Sequence, residues 1–362
     1  MTQHSTPHCV TIAGRAIGER HPTFVIAEAG VNHDGSVEKA LRLIDAAKAA
    51  CADAVKFQCF RADALVAPET PTCGYQAAHG AAATDQREML RRLELSRSGF
   101  LHLAEYARER EILFLATPFG IDELRFLSDE VGVSAIKIAS PDLVNGPLLS
   151  AACDANLPII VSTGAADEAE IGSVVEVFRS RVSANRLVLL HCVSAYPTPL
   201  NDARLGSIRT LRDKFTVPVG FSDHTAEVET GSFAVLAGAN VLEKHLTLSR
   251  SAPGPDHFFS LEPAVFAEYV LRVRHAEQIL GDGKLTPAPF EREVRELARG
   301  RVIAGRSIRA GEVLTHEMIR IQRSAAGISV ASLPRIIGRR FREAVPSGRP
   351  VTESMLDSNS EL

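Results

Sequence analysis

Along the first 280 residues, short apolar runs alternate with longer amphipathic stretches. The runs are TFVIAEAG (23–30), AVKFQCF (54–60), ILFLATPF (112–119), AIKIAS (135–140), PIIVSTG (158–164), LVLLHCVSA (187–195), PVGFSDH (218–224) and VLEKHLTL (241–248). They are rich in Val, Ile, Leu or Phe and none exceeds nine residues, the pattern of strands buried on both faces of a parallel sheet. Between them, SVEKALRLIDAAKAA (36–50) opens on Ser36 as an N-cap and sets Ala40, Leu41, Ile44 and Ala47 along one stripe. GFLHLAEYARER (99–110), IDELRFLSDE (121–130), DEAEIGSVVEVFRSR (167–181) and PAVFAEYVLRVRHAEQIL (263–280) share that helical texture. Eight strand–helix units in about 260 residues predict an α/β fold, a (β/α)8 TIM barrel. A doubly wound open sheet is the structural competitor, but no glycine-rich first turn supports it.

The texture changes after residue 280. GDGKLTPAPFEREVREL (281–297) reads as a linker, with Gly and Pro early and charge later. Beyond it, SIRAGEVLTHEMI (307–319) and AVPSGRPVTESML (344–356) match at Gly311 and Gly348, Thr315 and Thr352, Met318 and Met355. In each, Gly permits a tight turn and Thr can cap a short helix that buries the Met. A barrel domain over 1–280 is therefore followed by a small, pseudo-symmetric β-rich module over 298–362. The module carries eleven Arg, no Lys and six acidic residues, a net +5 that leaves −9 for the rest of a chain at −4. It could dock on the acidic barrel or on a neighbouring subunit, or simply present a solvated arginine-rich surface.

Composition narrows the class. A chain of 362 residues, 45% apolar and 23% charged, has the mix of a soluble globular protein. Its small net charge carries no signal for nucleic acid or an anionic membrane. The six cysteines (Cys9, Cys51, Cys59, Cys73, Cys153, Cys192) form no C-x-x-C pair and read as reduced thiols of a cytoplasmic protein. The start MTQHSTPHCV lacks the features of a signal peptide. No apolar stretch reaches the length of about 18 residues needed to span a membrane.

Barrels of this kind place their reacting groups at the C-terminal ends of the strands. Polar residues collect there on all eight. In order these are Glu28 with Asn32 and His33; Lys56 and Gln58; Thr117; Lys137, Ser140 and Asp142; Ser162, Thr163 and Gly164; His191, Ser194 and Tyr196; Ser222, Asp223 and His224; Glu243 and His245. A single one is readily a satisfied core group, whereas eight strands repeating it at one end is hard to produce by packing. His224 and His245 end adjacent strands, so their imidazoles can converge on a metal. Two imidazoles leave most of an octahedral shell to water, carboxylate and substrate oxygens, which suits Mn²⁺ or Mg²⁺ better than a closed zinc site. Two hydrogen-bonded structural histidines are the alternative. Lys56 and Lys137 interrupt apolar strands and need anionic partners. With Ser140, Ser162, Ser194 and Ser222 they would make a pocket for phosphate and carboxylate; internal salt bridges to Glu28 or Glu243 would serve equally. Glu28 is a candidate general base whose pKa desolvation would raise.

The segments FVIAEAGVNHDGS, ADAVKFQ, QREMLRRLELS, ATPFG, YPTP, GFSDHT, LEKHLTL and PGPDHFFSLEP resemble the sialic acid synthases, and GRSIRAGEVLTHEMIRIQR resembles the antifreeze-like SAF domain that ends those enzymes. The resemblance covers about residues 10–356, in family order. It implies a divalent metal, Mn²⁺ first with Mg²⁺ or Co²⁺ as alternatives, on His224 and His245. It implies a phosphoenolpyruvate pocket of Lys56, Lys137, Ser140, Ser162 and Ser222, with Ser194 where asparagine is common. It implies a sugar site of Gln58, Thr117, Tyr196 and Asp256, with Asp142 in place of the usual glutamate, and acid–base work by Glu28. It further implies a domain-swapped homodimer in which Arg323 reaches the sugar's N-acetyl group in the partner subunit. Ser140-Pro141-Asp142 replaces the usual Ser-Gly-Glu, and Ser324-Ala325 replaces Pro-Gly after the arginine. GPDH (254–257) is nearer the sialic and legionaminic types than the pseudaminic type.

The implied reaction joins phosphoenolpyruvate, N-acetylmannosamine or a related 2-acetamido sugar, and water, giving an N-acetylneuraminate-type acid and phosphate. It needs positioning and electrostatics rather than a protein nucleophile, and no G-x-S-x-G elbow or Cys–His signature is present. A legionaminic or other nonulosonate synthase with a different amino sugar is the first alternative. A metal-dependent barrel hydrolase would need more ligands than two histidines. A non-catalytic carbohydrate-binding protein would have no use for Glu28, Lys56, His224 and His245 together.

Overall fold

In a computed structural model of the chain, residues 9–72, 74, 85–181 and 186–358 are described. Residues 1–8, on which the signal-peptide reading rests, and Cys73 lie outside them. The other five cysteines are free thiols. Among the described residues no helix is long and apolar enough to cross a membrane.

The chain opens with a hairpin, β1 (Val10–Ile12) and β2 (Arg15–Ile17), that the sequence pattern does not reveal. Three-residue strands are too short to show a period. The signal lies in the turn, where Ala13 and Gly14 both have positive φ (48° and 79°), as a two-residue hairpin turn matched to strand twist requires. Eight parallel strands follow: β3 (Phe24–Gly30), β4 (Ala54–Cys59), β5 (Leu113–Pro118), β6 (Ile136–Ile138), β7 (Ile159–Ser162), β8 (Leu187–Cys192), β9 (Val219–Asp223) and β10 (Val241–His245). They close into a barrel, β10 pairing with β3.

The barrel explains why the runs are apolar throughout. Alternate residues face in and out, and both sides are covered. Inward-facing Phe24, Ile26, Leu115, Ile160, Val188 and Val241 pack with Val10, Ile12 and Ile17 of the hairpin, which closes the end where the strands begin. Outward-facing Val25, Phe57 and Leu189 pack beneath helical residues such as Leu43, Ile44 and Leu103. The opposite mouth is left for polar groups.

The helix Val37–Ala49 starts as expected, with Ser36 Oγ accepting from the Lys39 amide at 3.2 Å. Its buried stripe is Ala40, Leu43, Ile44 and Ala47, so Leu43 takes the place expected of Leu41. The 121–130 stretch divides into an α-turn (Ile121–Arg125) and a wider π-turn (Phe126–Val131) that buries the consecutive Phe126 and Leu127.

Residues up to Asp282 form one compact unit and those from Gly283 a second. The stretch read as a linker is partly helical, with a 3-10 turn (Pro289–Glu291) and a helix (Arg292–Ala298). In the second unit β11 (Gly300–Ala304) and β12 (Ile319–Arg323) pair antiparallel. The two sequence repeats also pair: Ile308 and Val345 each donate to the other's carbonyl at 2.9 Å. Gly311 and Gly348 adopt nearly the same φ, 84° and 83°, which explains the matched glycines. Thr315 and Thr352 stand at the N-caps of 3-10 turns, but neither side chain caps. Thr352 Oγ1 is bonded to Ser354 Oγ instead. Met355 is buried in this unit's core and Met318 packs against it.

Candidate active site

Strand register sets up the site. Glu28 is the cross-strand partner of Lys56 on one side and His245 on the other, and Ser222 is the partner of Glu243. Their inward side chains surround a cavity of about 390 Å³ at the C-terminal mouth. Thirteen of the expected residues line it: Glu28, Lys56, Gln58, Thr117, Lys137, Ser140, Ser162, Ser194, Tyr196, Ser222, His224, His245 and Asp256.

The lysines both line the cavity and pair internally, so both readings of them hold. Lys56 Nζ lies 2.7 Å from Glu28 Oε2 and 3.6 Å from Glu243 Oε2, and donates to Thr117 Oγ1 at 2.9 Å. Lys137 Nζ donates to Ser162 Oγ at 2.7 Å and lies 3.8 Å from Glu243 Oε2. Ser222 Oγ donates to Glu243 Oε1 at 2.9 Å. All these groups are buried. Burial pushes the Glu28 carboxyl above its ordinary range; Lys56 and Lys137 pull it down and Glu243 pushes it up, so the balance stays raised. Burial opposes the charge on Lys56, but Glu243 and Glu28 outweigh it and hold its pKa above the usual value. For Lys137 burial wins and the pKa falls. Two ammonium groups and two carboxylates roughly cancel, so a ligand with several negative charges would need further positive charge.

Next to Lys137, Gly164 leaves space that a side chain would take. A Cβ there would collide with Ser194 Oγ and lie 2.8 Å from Ser140 Oγ. The Gly164 amide donates to Ser140 Oγ at 2.9 Å. Hydroxyls, a backbone amide and an ammonium thus converge on one side of the cavity, a donor-rich cradle of the kind that suits phosphate or carboxylate.

Two imidazoles line the cavity next to this cradle, His224 lying 3.9 Å from Cys192 Sγ, which in turn lies 3.5 Å from Ser140 Oγ. The His224 and His245 rings are 5.5 Å apart between centroids. His224 Nδ1 lies 2.9 Å from the Val193 carbonyl, which places a proton on Nδ1, and its Nε2 lies 3.4 Å from Ser222 Oγ, a hydroxyl already donating to Glu243. His245 Nδ1 is buried without a hydrogen-bond partner, 4.0 Å from Asp256 Oδ2. Burial, and then the nearby His224, keep His245 neutral well below its ordinary pKa. Burial opposes charge on His224, but Cys192 and the Val193 carbonyl outweigh it and hold its pKa above the ordinary value. The orphaned nitrogen of His245 beside a second imidazole, once that ring has given up its proton, fits a divalent cation. Among the described residues no group of three or more His, Cys, Asp or Glu is arranged to hold a metal, so the remaining positions would fall to water and substrate oxygens. Tyr196 and Phe259 wall this side, their rings 4.4 Å from His224 and 4.7 Å from His245 respectively. Burial, and then Glu28, push the Asp256 carboxyl up to about 7.

Other polar strand ends do not join the cavity. His191 stacks on Phe221 at 5.6 Å and its Nε2 bonds to the Ala203 carbonyl at 2.8 Å, a structural role. Asp142 does not line the cavity; its carboxylate accepts from Asn145 Nδ2 at 2.9 Å, beside the next helix. Arg323 is exposed at the end of β12 in the second unit. The sequence reading placed Glu243 among the polar strand ends but gave it no role beyond a salt-bridge partner; it too lines the cavity. Its position two residues before His245, on the same inward face, was the available signal.

His33 is buried with its Nδ1 accepting from the Gly35 amide at 3.1 Å. Burial lowers its pKa from 6.5 to about 4. The unfolded chain therefore takes up a proton near pH 6.5 that the folded chain refuses until about pH 4, and stability falls as pH drops through that window, by roughly 3 kcal/mol in all. In His33→Asn a carboxamide oxygen can replace Nδ1 as acceptor. That variant is expected to flatten the acid limb of urea-unfolding midpoints across the window; an unchanged slope would assign the acid sensitivity elsewhere.

With this geometry, comparison with known proteins is decisive. The NeuB family model matches residues 43–285. The chain belongs to the NeuB family. The SAF domain model matches residues 301–357, so the barrel and the small domain expected from sequence are both found. Over 334 residues the chain is 37% identical to the N,N'-diacetyllegionaminic acid synthase of Legionella pneumophila, covering 91% of this chain and 94% of that one. It is 33% identical over 334 residues to a pseudaminic acid synthase of Campylobacter jejuni, covering 91% and 96%. A crystal structure of the N-acetylneuraminic acid synthetase of Leptospira borgpetersenii, in complex with citrate, superposes with a TM-score of 0.73 at 38% identity, covering 81% of this chain and 97% of that one. As a NeuB-family member the chain is a phosphoenolpyruvate-dependent condensing enzyme of the nonulosonic-acid synthases.

Proposed function

We propose that this NeuB-family enzyme condenses phosphoenolpyruvate with N-acetylmannosamine or a related 2-acetamido sugar, and water, to give a nonulosonic acid and phosphate. The observation that carries this reading is the single cavity in which two buried lysines, a glycine-cradled set of hydroxyls and two imidazoles converge. Lys56, Lys137, Ser140, Ser162, Ser194 and Ser222 would hold the phosphate and carboxylate. Gln58, Thr117, Tyr196 and Asp256 would bind the sugar, with Arg323 supplied by the partner of a domain-swapped homodimer in the cytoplasm. A divalent cation on His224 and His245, Mn²⁺ or else Mg²⁺ or Co²⁺, would supply Lewis acidity toward the sugar aldehyde. Glu28, held toward its protonated form by burial, donates a proton to the aldehyde oxygen as the enol carbon of phosphoenolpyruvate attacks the aldehyde carbon. As a carboxylate it then takes a proton from the water that adds at C2, and the tetrahedral intermediate breaks its C–O bond to phosphate. The lysines keep the leaving phosphate in place and transfer no covalent bond.

Phosphate release with Mn²⁺, phosphoenolpyruvate and a panel of 2-acetamido and 2,4-diacetamido sugars tests the reading. Mass spectrometry should find an acid with the mass of both substrates plus water less phosphate, and the best sugar identifies the product type. No phosphate release with any sugar would defeat the proposal in favour of a carbohydrate-binding role.

A further inference from the structure

Asn32, His33 and Asp34 follow β3 at the mouth of the barrel, yet none of them lines the cavity. Two of them grip the loop after β10, across the seam where the barrel closes. Asn32 Nδ2 donates to the Leu246 carbonyl and to Ser260 Oγ, both at 2.9 Å, and Ser260 Oγ donates to the Asp256 carbonyl at 2.5 Å. His257 Nε2 lies 2.9 Å from Asp34 Oδ1, and its Nδ1 lies 2.6 Å from Thr247 Oγ1. Thr247, His257 and Ser260 are buried. Gly254, at φ 157°, keeps the space for this contact, since a Cβ there would stand 2.6 Å from His257 Cδ2.

Asp256 hangs between the two anchored points. A Cβ on Gly30 would stand 3.4 Å from Asp256 Oδ2 and 3.3 Å from Glu28 Oε1, so both carboxyls flank the same glycine. Two buried carboxyls crowd each other, and such an arrangement persists only when the surrounding backbone imposes it. The phosphate-side residues Lys137, Ser140 and Ser162 share no hydrogen bond with this network.

We propose that Asp34 and His257, with Asn32 and Ser260, are positioning residues that fix the Asp256 carboxyl against Glu28 and thereby set affinity for the sugar without altering the phosphoenolpyruvate pocket. The inference rests on the sugar-binding role proposed for Asp256. Asp34 has a positive φ of 52°, so Asp34→Gly deletes the side chain without backbone strain, and Asp34→Asn keeps an acceptor and tolerates that φ. In the full-length enzyme Asp34→Gly is expected to raise the sugar KM about tenfold, to leave the phosphoenolpyruvate KM within about twofold, and to speed amide exchange across 249–260 but not in the barrel strands. Asp34→Asn should return the sugar KM to within about threefold of the unmodified enzyme. Equal rises in both KM values, a fall in kcat alone, or no rescue by asparagine would overturn the inference. If the unmodified enzyme, with its grip intact, releases no phosphate with any sugar, the functional reading fails instead. Exchange across 249–260 then decides the grip alone, and unchanged exchange in Asp34→Gly overturns it.

Discussion

His245→Ala is expected to lower turnover about a thousandfold while the barrel stays folded. The ring sits 5.5 Å from His224 and 4.7 Å from Phe259, and its Nδ1 has no hydrogen-bond partner. Removing it breaks no ion pair and halves the set of imidazoles available to a cation. Lewis-acid stabilisation of a developing alkoxide is worth several kcal/mol, and about 4 kcal/mol corresponds to a rate factor of about 1,000. Calorimetry should find Mn²⁺ binding lost, and thermal unfolding without metal should shift little. Chelator-treated wild-type enzyme should fall to a comparable rate. Near-normal turnover after chelation would remove the metal from the scheme.

Lys56→Met acts on charge balance and should cost both stability and substrate affinity. It removes the ammonium that sits 2.7 Å from Glu28 and 3.6 Å from Glu243, leaving two buried carboxyls with Lys137 only at 3.8 Å from the second. Breaking one side of a buried pair costs about 3–5 kcal/mol, and the phosphoenolpyruvate KM should rise at least about tenfold. The loss depends on pH. Glu28 is already raised above its ordinary 4.5 by burial, and losing Lys56 raises it further. The folded variant then keeps a proton that the unfolded chain has released, so stability falls as pH rises. Urea midpoints of variant and wild type should lie close together near pH 5 and separate toward pH 8. A gap independent of pH would show that Lys56 does not pull the Glu28 pKa down.

Much of the site is legible in the chain because barrels put chemistry at one end of every strand. The polar strand ends, Glu243 included, pick out thirteen residues that the folded barrel brings to one cavity, whereas Asp256 is reached only through the family resemblance. The pattern also selects His191, Asn32 and His33, which are equally polar and equally near strand ends, yet turn to carbonyls, amides and a neighbouring loop. Position along a strand says which face a side chain takes; it does not say whether a carbonyl waits to accept its proton. Asp142 shows the same limit, since a nearby asparagine takes up its carboxylate.

What the sequence by itself determined is the barrel, the small repeated domain and the chemical types gathered at the barrel mouth. Run length, capping and strand-end polarity are local patterns, and local patterns survive without coordinates. Only the tertiary structure decided which groups touch. That Lys56 reaches both Glu28 and Glu243, and that Asp34 grips His257, depends on the register between β3, β4 and β10. These strands are brought together by closure of the barrel, and no spacing along the chain encodes the stagger at which that closure occurs.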